Sequence, residues 1–166
     1  MKVLVSAASK HGATTEVATT IAAALTSAGI EATVAAPAEV ASVEGFDAAV
    51  IGSGVYAGRW LGPAKDLLAR HREALAAIPV WLFSSGPIGD PPKPEEDPLD
   101  AAPMAALVGA RGHRVFAGLI DKKRLGLGEK AILAAVRAPE GDFRPWADIE
   151  AWAGELAGEM RAAPVG

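Results

Sequence analysis

The sequence predicts an α/β fold, in which a five-stranded parallel sheet lies between two layers of helices. Its apolar runs are short and continuous rather than alternating, which is typical of strands buried on both faces. Segments with helical periodicity separate these runs, and most of the connections are short. For five strands wound in this way, 2-1-3-4-5 is the commonest order. The length of 166 residues suits a single domain covering residues 1–166.

The strands are predicted from apolar runs that end at glycine, proline or polar residues. The first begins with Val3, Leu4 and Val5, and the third, FDAAVI, has the composition of a central strand. Proline ends the second strand, and Asp121 closes the fifth. In chain order, the five predicted strands cover residues 3–5, 31–36, 46–51, 79–83 and 114–120.

The helices are predicted from apolar residues that repeat every three to four positions. Val17, Ile21 and Leu25 form the stripe of the first helix, and Gly29 supplies its stop. Pro145 starts the last helix, because proline is well tolerated in the first turn. In chain order, the predicted helices cover residues 14–28, 63–78, 99–110, 127–137 and 145–161, and residues 121–144 form an insertion before the last helix.

Composition excludes several functions. A net charge of −4 argues against nucleic-acid binding, which requires a basic face. The chain has no cysteine, which excludes disulfides and thiolate ligands, and three dispersed histidines do not predict a metal site. The sequence shows no signal-peptide pattern and no apolar run of about 20 residues, so we expect a cytoplasmic protein.

The loop after the first strand is the first candidate site. A loop that leaves a strand and opens a helix directs backbone N–H groups and the positive end of the helix dipole at one point, where an anion is stabilised. An ordinary N-cap at Thr14 is the alternative interpretation. The candidate phosphate-binding residues are Ser9, Lys10, His11, Gly12, Ala13 and Thr14.

Two further loops have unusual composition. Residues 52–62 contain four glycines and the aromatic residues Tyr56 and Trp60. Glycine lets a backbone approach a flat ligand and an aromatic ring can stack on it, although these rings could instead fold back onto the core. Residues 84–90, SSGPIGD, follow the fourth strand. We expect the three loops to meet above the ends of strands 1 and 3, where the strand order reverses.

Four segments, SKHGATTE, GSGVYAGRW, SSGPIGD and GDFRPW, resemble the flavodoxin-like proteins that include menaquinone-dependent protoporphyrinogen oxidase. The resemblance covers nearly the whole chain and implies FMN as cofactor, with residues 9–14 at the phosphate and chemistry at flavin N5 without a catalytic side chain. It implies that Ser53, Gly54, Val55, Tyr56, Ala57 and Gly58 flank one face of the ring. It also implies that backbone groups of Ser84, Ser85, Gly86, Pro87 and Gly89 meet the pyrimidine edge.

The charge around the site favours an enzyme over a low-potential carrier. Lys10, His11 and Arg59 border the predicted site, and cations stabilise reduced flavin. The SSGPIGD loop has no aromatic residue, so Tyr56 or Trp60 would cover only one face. We therefore expect an FMN oxidoreductase that passes electrons between an organic donor and a quinone-type acceptor. A flavodoxin-type electron carrier and a scaffold without FMN are the alternatives.

The insertion contains the segment AILAAV, which is apolar on nearly every side of a helix. Such a helix is either buried or a contact surface. Beside it lies the basic run from Lys122 to Arg124. One interpretation is a contact with an anionic membrane surface or a propionate-bearing porphyrin, and the other is a packing helix with a solvated turn. The oligomeric state is open, and a homodimer is one option.

Other nucleotide-binding and hydrolytic classes do not fit. A phosphoacceptor receiver needs an aspartate at the end of strand 3, where this chain has Gly52 and Ser53. The first turn contains only Gly12 of the G-x-G-x-x-G pattern, and there is no Walker A motif. The sequence around Ser53 also lacks the G-x-S-x-G spacing of a serine hydrolase.

Overall fold

The computed structural model describes residues 1–86 and 96–163. The strands are β1 (Lys2–Ala8), β2 (Glu31–Val34), β3 (Ala48–Tyr56), β4 (Arg59–Trp60), β5 (Val80–Ser85), β6 (Gly112–Phe116), β7 (Leu119–Ile120) and β8 (Gly141–Asp142). Five of them form a parallel sheet in the order β2-β1-β3-β5-β6. Counted along the chain, these parallel strands have the predicted order 2-1-3-4-5, so the fold class is confirmed.

The helices are α1 (Ala13–Ser27), α2 (Gly62–Arg70), α3 (Arg72–Ala76), α4 (Ala101–Val108), α5 (Leu127–Ala135) and α6 (Trp146–Ala162). Short 3₁₀ turns cover Pro37–Glu39 and Lys122–Arg124. The predicted helix over residues 63–78 is divided at His71, whose φ of −114° lies outside the helical range. No helix in the described part of the chain is both long enough and apolar enough to span a bilayer.

The sheet separates two apolar cores, because successive side chains of a strand point to opposite faces. On one face, Val3 and Val5 of β1 pack with α1 and α6. On the other face, Leu4 of β1 packs with α2, α3 and α4. Both faces of the central strands are therefore covered, which explains why their sequences are continuous apolar runs.

The glycine-rich segment 52–60 forms a hairpin rather than the predicted loop. Strand β3 continues to Tyr56, and β4 pairs with it in an antiparallel arrangement. The two turn residues have positive φ angles, 50° at Ala57 and 74° at Gly58. Positive φ at both positions is typical of the tight turns that match the twist of paired strands.

The fifth predicted strand, residues 114–120, is divided into two strands. Gly112–Phe116 continues the main sheet as β6, whereas Leu119–Ile120 leaves it and pairs with Gly141–Asp142. Gly118 lies between the two strands, and a Cβ there would come 3.2 Å from Cα of Gly86. The short β7/β8 ribbon forms the base of the insertion, and α5 lies between its two strands in the sequence.

The partly buried His113 should make stability depend on pH. Nε2 of His113 lies 2.7 Å from Oγ of Ser84, which accepts a hydrogen bond from Nε1 of Trp60 at 2.8 Å. Burial lowers the pKa of His113. The unfolded chain therefore binds a proton at His113 more readily than the folded protein does. The free energy of unfolding should fall as pH drops below about 6.5, the ordinary pKa of histidine, towards the lower pKa of His113 in the folded protein. Urea unfolding of the wild type and of His113→Gln at pH 7.5, 6 and 5 checks this. Equal pH slopes in the two proteins would contradict it.

Candidate functional site

The carboxyl ends of β1 and β3 border a cavity of about 500 Å³. This volume is in the range of cofactor and small-molecule sites. The described lining residues are Lys10, His11, Ala13, Thr14, Gly54, Val55, Tyr56, Ala57, Ser85, Gly86, Gly118, Leu119, Ile120, Asp121, Arg124, Leu125, Glu129, Ile132 and Leu133. The cavity thus lies where the strand order reverses, as the topology predicts.

The loop after β1 is folded around the hydroxyl of Ser9. Oγ of Ser9 accepts hydrogen bonds from the backbone N–H of Gly12 at 2.9 Å and of Thr14 at 3.2 Å. Gly12 has a φ of 90°, a conformation that favours glycine. Within the described residues, the N–H groups of Ala13 and Thr15 have no acceptor. The start of α1 therefore offers donors to an anion.

Two basic side chains of this loop contact a carboxylate of the insertion. Nζ of Lys10 lies 3.2 Å from Oε1 of Glu129, and Nε2 of His11 lies 2.7 Å from Oε2. The His11 hydrogen bond and, to a lesser degree, the Lys10 ammonium lower the pKa of Glu129. Lys10 also lies over the Tyr56 ring, 5.4 Å from its centroid. Helix α5, which carries Glu129, is thereby joined to the predicted phosphate loop.

Of the two aromatic candidates for the flavin face, only Tyr56 lines the cavity. The residue is 40% exposed, and partial burial, together with the charge of Glu129, raises the pKa of its phenol. Trp60 is buried in the core, where its Nε1 donates to Ser84. Arg59 does not line the cavity either, because it pairs with Asp100 at 3.2 Å.

Glycines keep the cavity floor open for a flat ligand. A Cβ at Gly54 would lie 3.1 Å from Oγ1 of Thr14, and a Cβ at Gly86 would lie 2.9 Å from Cβ of Val55. Larger side chains at these positions would fill the space between the ends of β3 and β5. The floor and the donors of α1 together fit a planar cofactor that carries a phosphate.

The structure brings ten of the predicted site residues to the cavity: Lys10, His11, Ala13, Thr14, Gly54, Val55, Tyr56, Ala57, Ser85 and Gly86. Ser9 and Gly12 shape the loop, and Gly58 lies in the hairpin turn. Ser53 and Ser84 are buried and do not line the cavity, since core hydrogen bonds engage their hydroxyls. Pro87 and Gly89 lie outside the described residues. A role in cofactor binding stays a prediction for all of these residues.

Another wall of the cavity comes mainly from the insertion, which the site prediction did not include. Leu125, Ile132 and Leu133 of the insertion and Leu119 and Ile120 of β7, just before it, supply its apolar surface. The apolar character of AILAAV is the signal in the sequence that a contact surface was present. Its placement could not be read from the sequence, because it depends on where the β7/β8 ribbon leaves the sheet.

Both ends of the insertion are anchored to Glu16 of α1. Nη2 of Arg124 lies 3.1 Å from Oε1 of Glu16. Arg144 also pairs with Glu16, donates to the carbonyl of Ala13 at 3.2 Å, and binds both carboxylate oxygens of Asp142 at 2.8 Å. These ion pairs hold the insertion against the first turn of α1, next to the phosphate loop.

A cavity at the switch point of a doubly wound parallel sheet, beside an anion-binding loop, defines a nucleotide-binding protein of the flavodoxin-like class. Residues 4–144 match the flavodoxin domain family, and the chain belongs to this family. Members of the family are FMN-binding flavoproteins, so FMN is confirmed as the cofactor to expect. The resemblance to flavodoxin-like proteins is likewise confirmed at the level of the family.

Solved structures with the same fold include a flavodoxin from the domain Archaea, with a TM-score of 0.65, 17% identity, and coverage of 97% of this chain and 99% of the other. A flavodoxin variant from Pseudomonas aeruginosa has a TM-score of 0.65, 19% identity and the same coverage. Rubredoxin oxygen:oxidoreductase from Desulfovibrio gigas has a TM-score of 0.66 and 12% identity, and the match covers 97% of this chain and 36% of the other. A comparison with curated proteins gives no match.

Proposed function

We propose that the protein is an FMN-dependent oxidoreductase that passes electrons from an organic donor to a quinone-type acceptor, in the manner of menaquinone-dependent protoporphyrinogen oxidase. The observation that carries this proposal is the apolar wall that β7 and the insertion contribute to the cavity lined by the cofactor loops. An electron carrier that docks to another protein needs only an exposed flavin edge and no binding surface for an organic substrate. Here Ile120, Ile132 and Leu133 instead provide an apolar surface against which an organic ring can pack.

The residues of the cavity suit FMN. Thr14 and the amides at the start of α1 would hold the phosphate, and Tyr56 would pack on one face of the ring. FMN supplies the redox chemistry when bound, since it can accept and donate electrons and hydride. The chain's own contribution is to orient the ring and to exclude water with the apolar wall of the insertion.

The basic groups beside the cavity support an anionic reduced cofactor. Lys10, His11 and Arg124 line the cavity, and among the described lining residues Asp121 and Glu129 are acidic. Positive charge near the ring stabilises a negatively charged reduced form and so favours oxidation of an organic substrate. The excess of positive charge is small, because the carboxylate of Glu129 lies beside Lys10 and His11.

Reoxidation kinetics test the proposed acceptor. The FMN-loaded protein is photoreduced without oxygen and mixed with increasing concentrations of menadione, while flavin absorbance is followed. We expect the rate to saturate with menadione, because the acceptor binds in the cavity before electrons move. The variant Leu133→Asp should weaken saturation, whereas Val136→Asp, at an exposed position that does not line the cavity, should not. A linear dependence in the wild type would favour an electron carrier.

Thr14→Ala should weaken FMN binding by about 1–3 kcal/mol, because the variant loses a hydroxyl that can donate to the charged phosphate. Thr14 is buried at the cavity, and its Oγ1 makes no hydrogen bond within the described residues. Fluorescence titration with FMN measures the effect. Thr19→Ala is the control, since Thr19 lies on the same helix and its hydroxyl donates to the carbonyl of Thr15. Equal dissociation constants for wild type and Thr14→Ala would place the phosphate elsewhere.

Exposed apolar residues on α5 suggest where the protein would meet its electron acceptor. None of the residues of α5 is fully buried. Leu127 and Ile132 are 86% and 65% exposed. This supports the proposed contact with an anionic membrane surface, where a quinone would be dissolved. The porphyrin contact and the homodimer stay predictions.

A further inference from the structure

Glu129 lies at the point where the insertion meets the predicted phosphate loop. Its two carboxylate oxygens are shared between the loop's two basic side chains: Oε1 lies 3.2 Å from Nζ of Lys10, and Oε2 lies 2.7 Å from Nε2 of His11. These contacts join residues 118 and 119 positions apart in the sequence, and all three residues line the cavity. A carboxylate thus occupies the donors that an incoming phosphate would use.

We infer that Glu129 is an internal competitor of the cofactor phosphate: FMN takes Lys10 and His11 from Glu129 and thereby loosens the contact between the start of helix α5 and the loop. The inference rests on FMN as the cofactor of the proposed function. Beyond that function, the inference assigns two new roles: Glu129 lowers the affinity for the cofactor, and helix α5 responds to cofactor binding.

Competition follows from the charges. Carboxylate and phosphate oxygens accept the same charge-assisted hydrogen bonds. A phosphate at the start of α1 would carry up to two negative charges close to the Glu129 carboxylate, and like charges at such a distance repel each other. Lys10 and His11 can satisfy both anions only partly, so the more highly charged phosphate should displace the carboxylate.

Helix α5 has little else to hold it in place. None of its residues is buried, and Val136, just beyond its end, is 66% exposed. Gly126 and Gly128 flank its first residue, and Arg137 after its last turn has an unusual φ of 52°. The ends of the insertion remain anchored through Arg124 and Arg144, which do not contact Glu129. Loss of the Glu129 contacts should therefore loosen α5, while the anchored ends of the insertion keep its apolar residues at the cavity.

Titrations with FMN and riboflavin test the inference. Glu129→Gln keeps the shape of the side chain but removes the charge, so it should lower the FMN dissociation constant about three- to tenfold. Riboflavin has the same ring and no phosphate, so its dissociation constant should not change. Glu140→Gln is the matched control, because Glu140 is an acidic residue of the same insertion that pairs with Lys122, away from the cavity.

Limited trypsin digestion provides a second readout. The insertion carries Lys130 inside α5 and Arg137 just after it. We expect FMN to increase cleavage of the wild type at these two sites, and riboflavin to have no such effect. In Glu129→Gln, cleavage should be faster without any ligand, and FMN should add little to it.

The outcomes separate the two proposals. Tighter FMN binding by Glu129→Gln with unchanged riboflavin binding supports the competition. Weaker FMN binding by the variant would mean that Glu129 orients Lys10 and His11 for the phosphate, and would overturn it. Equal changes for FMN and riboflavin, or protection of the wild type from trypsin by FMN, would also overturn it while leaving the proposed function intact. Failure of the wild type to bind either flavin would overturn both.

Discussion

Gly52→Ala is expected to destabilise the fold by about 3 kcal/mol, the cost of inserting a methyl group into a well-packed core. A Cβ at Gly52 would overlap the ring of Phe83 on the neighbouring strand. The ring cannot move aside easily, because it is fully buried between Phe116 and Trp152, at centroid distances of 6.4 and 6.2 Å. Strand β3 and the aromatic cluster should therefore both shift.

Urea unfolding followed by far-UV circular dichroism measures the effect on the free energy of unfolding. Gly154→Ala is the matched control: Gly154 is an exposed position of α6 where a Cβ meets nothing within 4 Å. Alanine there should stabilise the helix by about 0.5–1 kcal/mol. A Gly52→Ala variant as stable as the wild type would show that the Phe83 ring has room to move.

Arg144→Met should cost about 2–3 kcal/mol of stability, somewhat less than the roughly 3–5 kcal/mol for removing one partner of a fully buried ion pair. The Arg144 side chain is only 6% exposed, and it serves two carboxylates, Asp142 and Glu16, and stacks 4.5 Å from the centroid of Trp146. Methionine keeps the apolar stem but leaves both carboxylates without this partner. They retain some contact with water, which is why the expected loss is not larger.

Thermal and urea unfolding measure the loss in Arg144→Met. Lys122→Met is the control, since its pair with Glu140 is exposed and should contribute less than about 1 kcal/mol. Arg144 lowers the pKa of both Glu16 and Asp142 in the folded state. Its contribution is therefore complete above about pH 4 to 5 and is lost as pH falls through the folded pKa values. A stability difference from wild type that stays constant down to pH 2 would contradict this assignment.

The strand order and the two-sided core were predictable because they depend on local patterns. Continuous apolar runs such as residues 79–83 occur where both faces of a strand are covered, and Val17, Ile21 and Leu25 can share one helical face only. Since parallel strands end at the same edge, the loops after β1, β3 and β5 had to lie near one another. The meeting of His11 and Tyr56 at the cavity followed from these rules.

The interpretation of residues 52–60 as a loop failed because glycine in a sequence does not distinguish a loop from a strand that packs closely. Gly52 is a glycine because the Phe83 ring occupies the space where its side chain would be. Trp60 is likewise in the core, since the hairpin turn at Ala57 and Gly58 reverses the chain toward Ser84. Both outcomes depend on a neighbouring strand far away in the sequence.

The sequence by itself determined the sheet, its helices, and the edge at which a phosphate-bearing cofactor is expected, because hydrophobic periodicity and helix starts are local properties of the chain. Only the tertiary structure decided that the insertion forms one wall of the cavity and that Glu129 meets Lys10 and His11. Those contacts join segments more than 100 residues apart, and they depend on how a short ribbon leaves the sheet and on which ion pairs fix it to α1.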